Sequence, residues 1–383
     1  MTEYRPATLD EASEALRGAS AEGATVRARG GSTKLEWGRV APRPDIEIFT
    51  DQLNDAIEYN HADMTAVLGA GLRLSDAQEM FAGRGQMLAL DPPLGRGLEA
   101  TIGGIFSTAD SGPLRHRYGA ARDLVLGMTV VLADGTIARV GGKVIKNVAG
   151  YDLAKLFTGS FGTLGLIAEV VVRLHPLSPN RVTARGSSED REALERGGMS
   201  VSRATLQADC VDVSWRDGRG SVLARFAGAA AGAQAEAATR LLAEAALETS
   251  LIEDDDSLWA RQRDGQRSTA GAILRLSGVQ SDIARILRAA NSHSAHVVGR
   301  AGVGVYWFRL PDVPEDQLVA AIDDIRAELR GVPCVVCDAS RAVRRKVDVW
   351  EEQTEGLKKL SRRVKQRFDP DDLLNPGIFV GGI

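Results

Sequence analysis

Clustered glycines are the residues of this 383-residue chain with the clearest chemical meaning. They form three groups along the sequence: Gly30 with Gly31, Gly103 with Gly104, and the spaced glycines of residues 159–165. Glycine lets a backbone adopt positive φ and approach a ligand closely, and consecutive free N–H groups can then converge on a phosphate. The clusters therefore predict a cradle for a nucleotide cofactor.

Two common nucleotide motifs do not account for these glycines. A Rossmann unit requires G-x-G-x-x-G between a strand and a helix, with an acidic residue some 20 positions further on. No such motif opens a strand–helix–strand unit here, and the phosphate-loop pattern G-x-x-x-x-G-K-[ST] is absent from the sequence. The cofactor must be held by glycine turns of another kind.

The glycines and their neighbours resemble the vanillyl-alcohol-oxidase-type flavoproteins, which bind FAD in a PCMH-type domain. The resemblance rests on RGGST (29–33), ATIGG (100–104), RYGAARD (117–123), GYDLAKLFTGSFGTLG (150–165) and the terminal LNPG (374–377). Within that superfamily, GGKVIKNVAGYDLAKLFTGSFGTLG and KQRFDPDDLLNPG are similar to the glycolate oxidase E subunit family. The resemblance covers residues 1–176 well and residues 340–383 less closely.

The resemblance implies that FAD is held by residues of three segments. Backbone N–H groups of residues 29–33 and 101–104 would bind the pyrophosphate, and residues 162–167 would hold the adenosine half. Relatives with covalent flavin attach it to a histidine that follows the Gly-Gly pair, whereas this chain has Ser32, so non-covalent FAD is expected. The implied cofactor-binding residues are Arg29, Gly30, Gly31, Ser32, Thr33, Thr101, Ile102, Gly103, Gly104, Ser107, Asp110, Ser111, Gly112, Tyr118, Gly119, Gly162, Thr163, Gly165 and Ile167.

The segment expected to carry the oxidation chemistry departs from the resemblance. The D-2-hydroxy-acid dehydrogenases of this superfamily carry H-A-G-D-G-N-x-H, whose histidines and acid supply metal ligands and a base. The counterpart here, residues 300–307, has Arg300 and Trp307 at the histidine positions and Val303 at the acidic one. Because an indole and a hydrocarbon cannot ligate a metal or remove a proton, no catalytic residue and no metal site are assigned. Arg300 and Arg309 stay as candidate contacts for a carboxylate.

Three functions are compatible with the sequence. The first is the FAD-binding subunit of a complex that oxidises glycolate and D-lactate, with a larger flavin-binding subunit and an iron–sulfur subunit as partners. The second is a self-sufficient FAD-linked oxidoreductase acting on a 2-hydroxy acid or a sugar-type alcohol. The third is a flavin-free scaffold subunit. The basic run 341–367 is either a solvated helix face or a docking surface for an acidic partner.

Composition sets the remaining expectations. A net charge of −4 gives no reason to expect nucleic acid, and no apolar run approaches the roughly 18 residues that cross a bilayer. The predicted location is cytoplasmic, with peripheral association to the inner membrane through partner subunits as an option. Cys334 and Cys337 lie three apart in a segment typical of a strand, where they point to opposite faces, so both are interpreted as structural.

The elements that position these residues predict an α+β fold. A two-subdomain PCMH-type FAD-binding domain is expected over residues 1–176, a smaller α+β lid over 177–338, and a C-terminal segment that packs on the FAD domain over 339–383. The motif Thr8-Leu-Asp-Glu11 predicts the start of a helix, and Ser75 with Gln78 predicts a second helix start. The C-terminal helix is expected to carry Leu357, Leu360 and Val364 on one packed face.

Overall fold

A computed structural model describes residues 1–143 and 152–383. Residues 144–151, which include the first two residues of GYDLAKLFTGSFGTLG (150–165), lie outside the described residues. The chain divides into two compact units. The first unit comprises Met1–Ser111, Gly119–Leu177 and Glu352–Ile383, and the second comprises Gly112–Tyr118 and Ser178–Glu351. The sequence-based division at 176 and 338 stays a prediction.

The strands and helices alternate along most of the chain. The strands are β1 Thr2–Tyr4, β2 Val26–Arg29, β3 Ile46–Phe49, β4 Ala56–Asn60, β5 Thr65–Gly69, β6 Gln86–Met87, β7 Val125–Val131, β8 Ile137–Gly141, β9 Leu166–Arg173, β10 His175–Pro176, β11 Arg181–Ser188, β12 Cys210–Arg216, β13 Arg219–Ala227, β14 Glu248–Ile252, β15 Ala272–Ser277, β16 His296–Arg300, β17 Val305–Leu310 and β18 Cys334–Asp338. The helices are α1 Leu9–Glu22, α2 Leu74–Ala82, α3 Ile102–Thr108, α4 Arg115–Tyr118, α5 Ala121–Leu124, α6 Leu153–Phe157, α7 Arg191–Arg203, α8 Ala231–Glu244, α9 Asp256–Asp264, α10 Ile283–Ser292, α11 Glu315–Glu328, α12 Arg341–Lys346 and α13 Glu355–Phe368.

The described part of the first unit contains two main sheets and a two-stranded sheet, β10-β6. A small parallel sheet has the order β1-β3-β2, and a larger antiparallel sheet has the order β4-β5-β9-β7-β8. Helix α1 begins at Thr8, whose side chain accepts a hydrogen bond from the Glu11 amide at 3.2 Å, and its Leu16 is buried in the core. The predicted helix start at Thr8 is confirmed, and the arrangement places the end of β2 at the edge of this core.

The C-terminal segment of the first unit lies beside β2. The Val26 amide donates to the Leu373 carbonyl at 2.8 Å, and the Asn375 amide donates to the Val26 carbonyl at 2.9 Å. The segment is fastened by Lys365 of α13, a buried lysine whose Nζ contacts Asp369 at 2.6 Å and the carbonyls of Thr163 and Leu374 at 2.9 and 2.8 Å. The LNPG motif is therefore held against the strand that carries RGGST.

The second unit is an eight-stranded antiparallel sheet with the order β14-β11-β13-β12-β16-β17-β15-β18. Alternate residues of β11 face opposite sides, and helices lie on both. On one side Gly186 packs closely against Leu242 of α8. On the other side Thr183 accepts a hydrogen bond from the Trp259 Nε1 of α9 at 2.9 Å. This double covering explains why the strands of this unit are so apolar.

The predicted α+β fold class is confirmed, with two local corrections. Helix α2 has Arg73 at its N-cap and no side-chain cap, so the predicted start at Ser75 with Gln78 is wrong. The expected packed face of α13 is also wrong, because Leu357 and Leu360 are 42% and 57% exposed while Lys365 is the buried residue. A lysine with three oxygen partners can be buried at a position where hydrophobic periodicity predicts none.

Candidate functional site

The glycine turn, residues 30–33, follows β2 directly and is shaped by close backbone approach. A Cβ atom placed on Gly31 would lie 1.6 Å from the Glu99 carbonyl oxygen, and one on Gly30 would lie 2.2 Å from the Thr101 Oγ1. Both distances are far inside van der Waals contact, so no side chain fits at either position. The sequence RGG thus brings the first predicted phosphate turn against the segment that carries the second.

The glycine turn leaves backbone donors unused. The amides of Gly30, Gly31 and Ser32 donate a hydrogen bond to no atom within residues 1–143 and 152–383. Ser32 has φ 58°, in the left-handed region that a non-glycine residue seldom adopts. Gly30 and Gly31 are half-buried and Ser32 is exposed, and adjacent backbone N–H groups without a protein partner can converge on an anionic ligand. The turn has the donor set that a cofactor phosphate requires.

The second predicted turn, residues 101–104, has a different structure. Thr101 is the N-cap of α3, and its Oγ1 accepts from the Gly104 amide at 3.3 Å. The amides of Ile102 and Gly103 donate to the carbonyls of Leu72 and Ala70 at 2.9 and 2.8 Å. Because these donors are already committed, this segment supports the glycine turn and contributes fewer free N–H groups than the sequence suggests.

A pocket in the first unit is formed around the glycine turn and one side of α3. Of the residues predicted to bind the cofactor, those that line it are Gly30, Gly31, Ser32, Thr33, Thr101, Gly104 and Ser107. Lining residues that the sequence reasoning missed include Lys34, Leu35, Ile105, Thr108, Phe161 and Asn375. Lys34 could have been found, since it is the cation immediately after RGGST; it lies 3.1 Å from Asp110, and both side chains are buried.

Two lining residues from distant parts of the chain meet in the left-handed conformation. Phe161 has φ 56° and Asn375 has φ 47°, and the Asn375 Nδ2 donates to the Phe161 carbonyl at 2.8 Å. Strained backbone of this kind persists where the surrounding structure enforces it, often at ligand sites. Gly162, a predicted site residue with φ 70°, lies beside Asn375. This contact gives the asparagine of LNPG a role in shaping the pocket.

An ion cluster fixes the direction in which β2 enters the glycine turn. The Glu47 carboxylate, with a fully buried side chain, accepts from the Arg27 Nε at 3.0 Å and from the Arg29 Nη1 at 2.7 Å. Burial raises the pKa of Glu47, but the hydrogen bonds and charges of the two arginines outweigh it and hold that pKa below 4.5. The Arg29 guanidinium also contacts the Ser32 Oγ at 3.1 Å, so its side chain is a support for the turn.

The other predicted cofactor residues lie in several places. Ile102 and Gly103 are buried in α3, and Asp110 and Ser111 are buried just beyond it. Thr163 is buried with its Oγ1 on the Ser160 carbonyl, while Gly165 packs on Phe157 and Ile167 is buried on β9. Gly119 has φ 82° and packs against Asp123. None of these side chains lines the pocket around the glycine turn among the described residues.

Gly112 and Tyr118 belong to the second unit, where the short segment Gly112–Tyr118 contacts β12. The Tyr118 hydroxyl and the Arg117 guanidinium lie 3.4 and 2.9 Å from the same Asp209 carboxylate oxygen. Burial and the Asp209 charge raise the pKa of Tyr118 to about 12, so its hydroxyl stays protonated. The tyrosine is a hydrogen-bonding group in this segment.

His116 of the same segment packs against the loop after β16. A Cβ atom on Gly302 would lie 2.1 Å from the His116 Nδ1, so glycine is required there. The Nδ1 atom is buried and has no hydrogen-bond partner among the described residues. Burial lowers the pKa of His116, with a smaller opposing effect from Asp209, so the imidazole is neutral near pH 7. It is the kind of group that accepts a proton.

Segment 300–307 forms a closed polar cluster. The fully buried Arg300 donates to the Asp212 carboxylate at 2.6 Å and to the Gln266 side-chain oxygen, and its guanidinium lies 4.9 Å from the centre of the Trp307 ring. A buried guanidinium paired in this way is part of the core, although its Nε has no partner among the described residues. Arg300 is therefore not available to a carboxylate substrate, whereas Arg309 is exposed on the same sheet.

Comparisons with known proteins place these observations in a family context. Residues 3–141 match the family model of the FAD binding domain. This part of the chain is similar to an FAD binding domain. FAD is its cofactor, and the predictions of FAD and of an FAD-linked oxidoreductase are confirmed. Predicted membership of the glycolate oxidase E subunit family is supported only at the broader level of PCMH-type FAD-binding proteins.

Some relatives match nearly the whole chain, and others match about half of it. It is 27% identical to an uncharacterised FAD-linked oxidoreductase of Mycobacterium tuberculosis, over 98% of this chain and 90% of that protein. It is 34% identical to the glycolate oxidase subunit GlcD of Bacillus subtilis, over 49% of this chain and 40% of that protein. It is 36% identical to a D-lactate dehydrogenase of Archaeoglobus fulgidus, over 45% of this chain and 38% of that protein.

A solved structure agrees on the fold. Alkyldihydroxyacetonephosphate synthase superposes with a TM-score of 0.73 at 16% identity, over 98% of this chain and 76% of that one. In the part of the chain that the structure describes, no helix is long and apolar enough to cross a membrane, and no three His, Cys, Asp or Glu side chains are grouped to hold a metal. Cys334 and Cys337 are buried on β18, and burial raises the pKa of the Cys334 thiol to about 11.

Proposed function

We propose that the glycine turn binds the FAD pyrophosphate through the amides of Gly30, Gly31 and Ser32. The support is the unused state of these donors and the close approach that requires glycine at two positions. FAD supplies two-electron redox chemistry when bound, and the residues of this chain supply anion binding and orientation. Charge-assisted hydrogen bonds to phosphate contribute about 1.5–3 kcal/mol each, enough to retain a cofactor without a covalent bond.

The attachment has a direct test. Acid precipitation of the purified protein should release all of the flavin into the supernatant, because the residue after the Gly-Gly pair is Ser32. Flavin absorbance that stays with the precipitate would contradict non-covalent binding.

We further propose that the chain is the FAD-binding subunit of a complex that oxidises a small 2-hydroxy acid such as glycolate or D-lactate, and that it is not catalytic alone. The single observation that carries this proposal is the closed cluster of Arg300. The segment whose counterpart in D-2-hydroxy-acid dehydrogenases supplies metal ligands and a base here contributes a buried guanidinium, held by Asp212, and a buried indole. Such a segment offers nothing to a hydroxy acid, so a partner flavin subunit would carry out the oxidation.

Anaerobic flavin reduction tests the subunit proposal. The isolated chain, mixed with glycolate or D-lactate, should keep its oxidised flavin spectrum, while dithionite should bleach it and show that the flavin is competent. Co-expression with the larger flavin subunit and the iron–sulfur subunit should restore oxidation of the hydroxy acid. Complete bleaching by either hydroxy acid in the isolated chain would overturn the proposal.

A second candidate function, a self-sufficient FAD-linked oxidoreductase, is favoured by His116. Its neutral imidazole belongs to a half-buried residue and could remove a proton from a hydroxyl group through Nε2, since Nδ1 is covered by Gly302. The full-length similarity to an FAD-linked oxidoreductase is also compatible with it. If the isolated chain is bleached by a hydroxy acid, His116→Gln should slow the reduction by about two orders of magnitude, the usual contribution of a general base. An unchanged rate would exclude His116 as that base.

We propose the outer face of α13 as the surface that docks a partner subunit. Its exposed Leu357 and Leu360 lie on the same helix as the exposed cations of Arg362, Arg363 and Arg367. Reversal of these three charges to glutamate should weaken assembly with an acidic partner and leave the FAD content unchanged. Normal co-purification of the reversed variant would contradict this surface without affecting the subunit proposal.

A further inference from the structure

A cleft of about 570 Å³ lies in the second unit, at the end of the large sheet where β16 begins and β17 ends. Its floor is the sheet and one wall is α9. The first unit does not contribute to its lining, which is confined to Ser178–Glu351. No part of the proposed oxidation chemistry uses this cleft.

The register of the sheet places the floor residues on one face. Arg185 of β11 pairs with Leu223 of β13, and across the following strands Val298 and His296 of β16 occupy the same side. His296 pairs directly with Arg309 of β17. Because directly paired residues share a face, an arginine stands at each end of a floor made by Leu223, Ser214 and Val298.

Helix α9 is fixed over this face at both ends. Near its start the Trp259 Nε1 donates to the Thr183 Oγ1 at 2.9 Å. At its end Gly265 approaches β16 so closely that a Cβ atom there would lie 2.7 Å from the Val298 Cγ1. The helix presents Leu258 and Arg261 to the cleft. The wall is thus a rigid element that adds one more guanidinium above this floor.

The cations of the cleft are only partly neutralised. Arg219 is paired with Glu248, and Asp217 is shared by Arg216 and His296. Arg185 is oriented by the Ser187 and Ser221 hydroxyls at 3.0 and 3.2 Å and has no acidic partner. Within the described ranges, 1–143 and 152–383, Arg261 and Arg309 form no ion pair either; Asp264 is the remaining carboxylate of the lining.

We propose that this cleft binds an elongated small molecule with an anionic group at each end and an apolar body. Arg185 and Arg309 stand four strand spacings apart and, because the register places Arg185 level with Val305, four residues apart along the strands, so their backbones are about 23 Å apart. The planar guanidinium pairs with carboxylate or phosphate in the same bidentate geometry, so either group meets the requirement. Leu223, Val298 and Leu258 provide the apolar contact between the two charges.

Titration calorimetry on the full-length, FAD-loaded protein tests this site with three probes. Azelate carries a carboxylate at each end of an apolar chain, nonanoate lacks one of the two charges, and hexane-1,6-diol bisphosphate presents two phosphates on an apolar chain. At least one of the two dianions should bind saturably, and azelate should bind about tenfold more tightly than nonanoate, since one charge-assisted contact is lost. Binding of azelate alone would identify a carboxylate ligand, and binding of the bisphosphate alone would identify a phosphate ligand.

Matched variants separate this cleft from general charge attraction. Arg309→Gln and Arg185→Gln should each weaken the bound dianion about tenfold. The control Arg240→Gln removes an exposed arginine of α8 outside the cleft and should leave affinity unchanged. Unchanged flavin absorbance and melting temperature would show that each variant is folded. Failure of both dianions to saturate, equal binding of azelate and nonanoate, or equal losses in the Arg240 control would overturn the proposal.

Discussion

The glycine turn of the first unit and segment 300–307 of the second differ in whether their polar groups have hydrogen-bond partners. The amides of Gly30 and Gly31 donate to nothing within the described residues, while the Arg300 guanidinium is enclosed by Asp212 and Gln266. Both segments are glycine-containing stretches that resemble ligand-binding motifs of flavoproteins. The difference teaches that a motif can bind a ligand only where its hydrogen-bond donors have no partner in the protein.

The physical reason is the cost of an unsatisfied polar group. A donor removed from water without a partner loses about 1–3 kcal/mol, so a folded protein leaves one unpaired mainly where a ligand completes it. Replacement of histidine by arginine at position 300 would leave a buried charge, and Asp212 with Gln266 now compensates it. We therefore expect a ligand to complete the first segment, whereas the second is completed by its own neighbours.

The largest effect is expected at the glycine turn. Gly31→Ala should weaken FAD binding by about two orders of magnitude, because its Cβ would lie 1.6 Å from the Glu99 carbonyl oxygen and the displaced turn would lose about 3 kcal/mol of contact with the phosphates. Fluorescence titration of the apoprotein with FAD measures the loss.

A glycine of α1 serves as the control for the glycine turn. A Cβ atom on Gly18 would meet nothing within 4 Å, so Gly18→Ala should bind FAD as the parent protein does. Equal affinity of the Gly31 and Gly18 variants would remove the glycine turn from the cofactor site.

The next effect concerns the closed cluster. Asp212→Ala leaves a fully buried Arg300 without its anion, so the second unit should lose about 3–5 kcal/mol of unfolding free energy. Urea denaturation followed by tryptophan fluorescence reports this loss. Asp316→Asn, which removes an exposed partner of Lys346, should leave stability nearly unchanged. A small loss for Asp212→Ala would mean that Arg300 is not held in a closed cluster.

A third prediction asks whether Lys365 fastens the LNPG segment to the first unit. Lys365→Met removes contacts to Asp369 and to two carbonyls, and we expect a loss of about 2–3 kcal/mol, since Asp369 keeps its bonds from the Leu373 and Leu374 amides. Lys359→Met on the exposed side of α13 should be nearly neutral. Similar melting curves for both variants would contradict the buried role.

The glycine turn could be predicted from the sequence because its requirements are local. RGGST predicts a turn from glycine chemistry alone, and Thr8 predicts a helix start from its side-chain acceptor. The committed amides of Ile102 and Gly103 could not be predicted, because their acceptors, Leu72 and Ala70, are contributed by a segment some 30 residues away. Residue type indicates that a donor exists, and only the fold decides which acceptor it meets.

Errors in the second unit and in α13 have a common origin in long-range partners. Arg300 was interpreted as a candidate carboxylate contact because the sequence does not show that Asp212, 88 residues earlier, is its partner. Leu357 and Leu360 were assigned to a packed face by periodicity, yet the side of α13 that is buried is defined by Lys365 and its partners. Burial of a charge depends on oxygens supplied by other segments, and no local pattern records them.

The smallest effect is expected at Glu47, because its ion cluster is only partly enclosed, in contrast to the closed cluster of Arg300. Glu47→Gln should lower the unfolding free energy at pH 7 by about 1–2 kcal/mol, since Arg27 and Arg29 are about a quarter exposed and solvent screens them. The folded-state pKa of Glu47 lies below 4.5, so its contribution is complete above that pH and is lost as the pH falls through the lowered value. The stability difference between parent and variant, measured by urea denaturation across the acid range, should therefore shrink below pH 4.5. Glu3→Gln, at a half-exposed pair with Arg5, is the control and should leave stability at pH 7 nearly unchanged. A difference that stays constant on acidification would show that the Glu47 carboxylate is not held by the two arginines that direct β2 into the glycine turn.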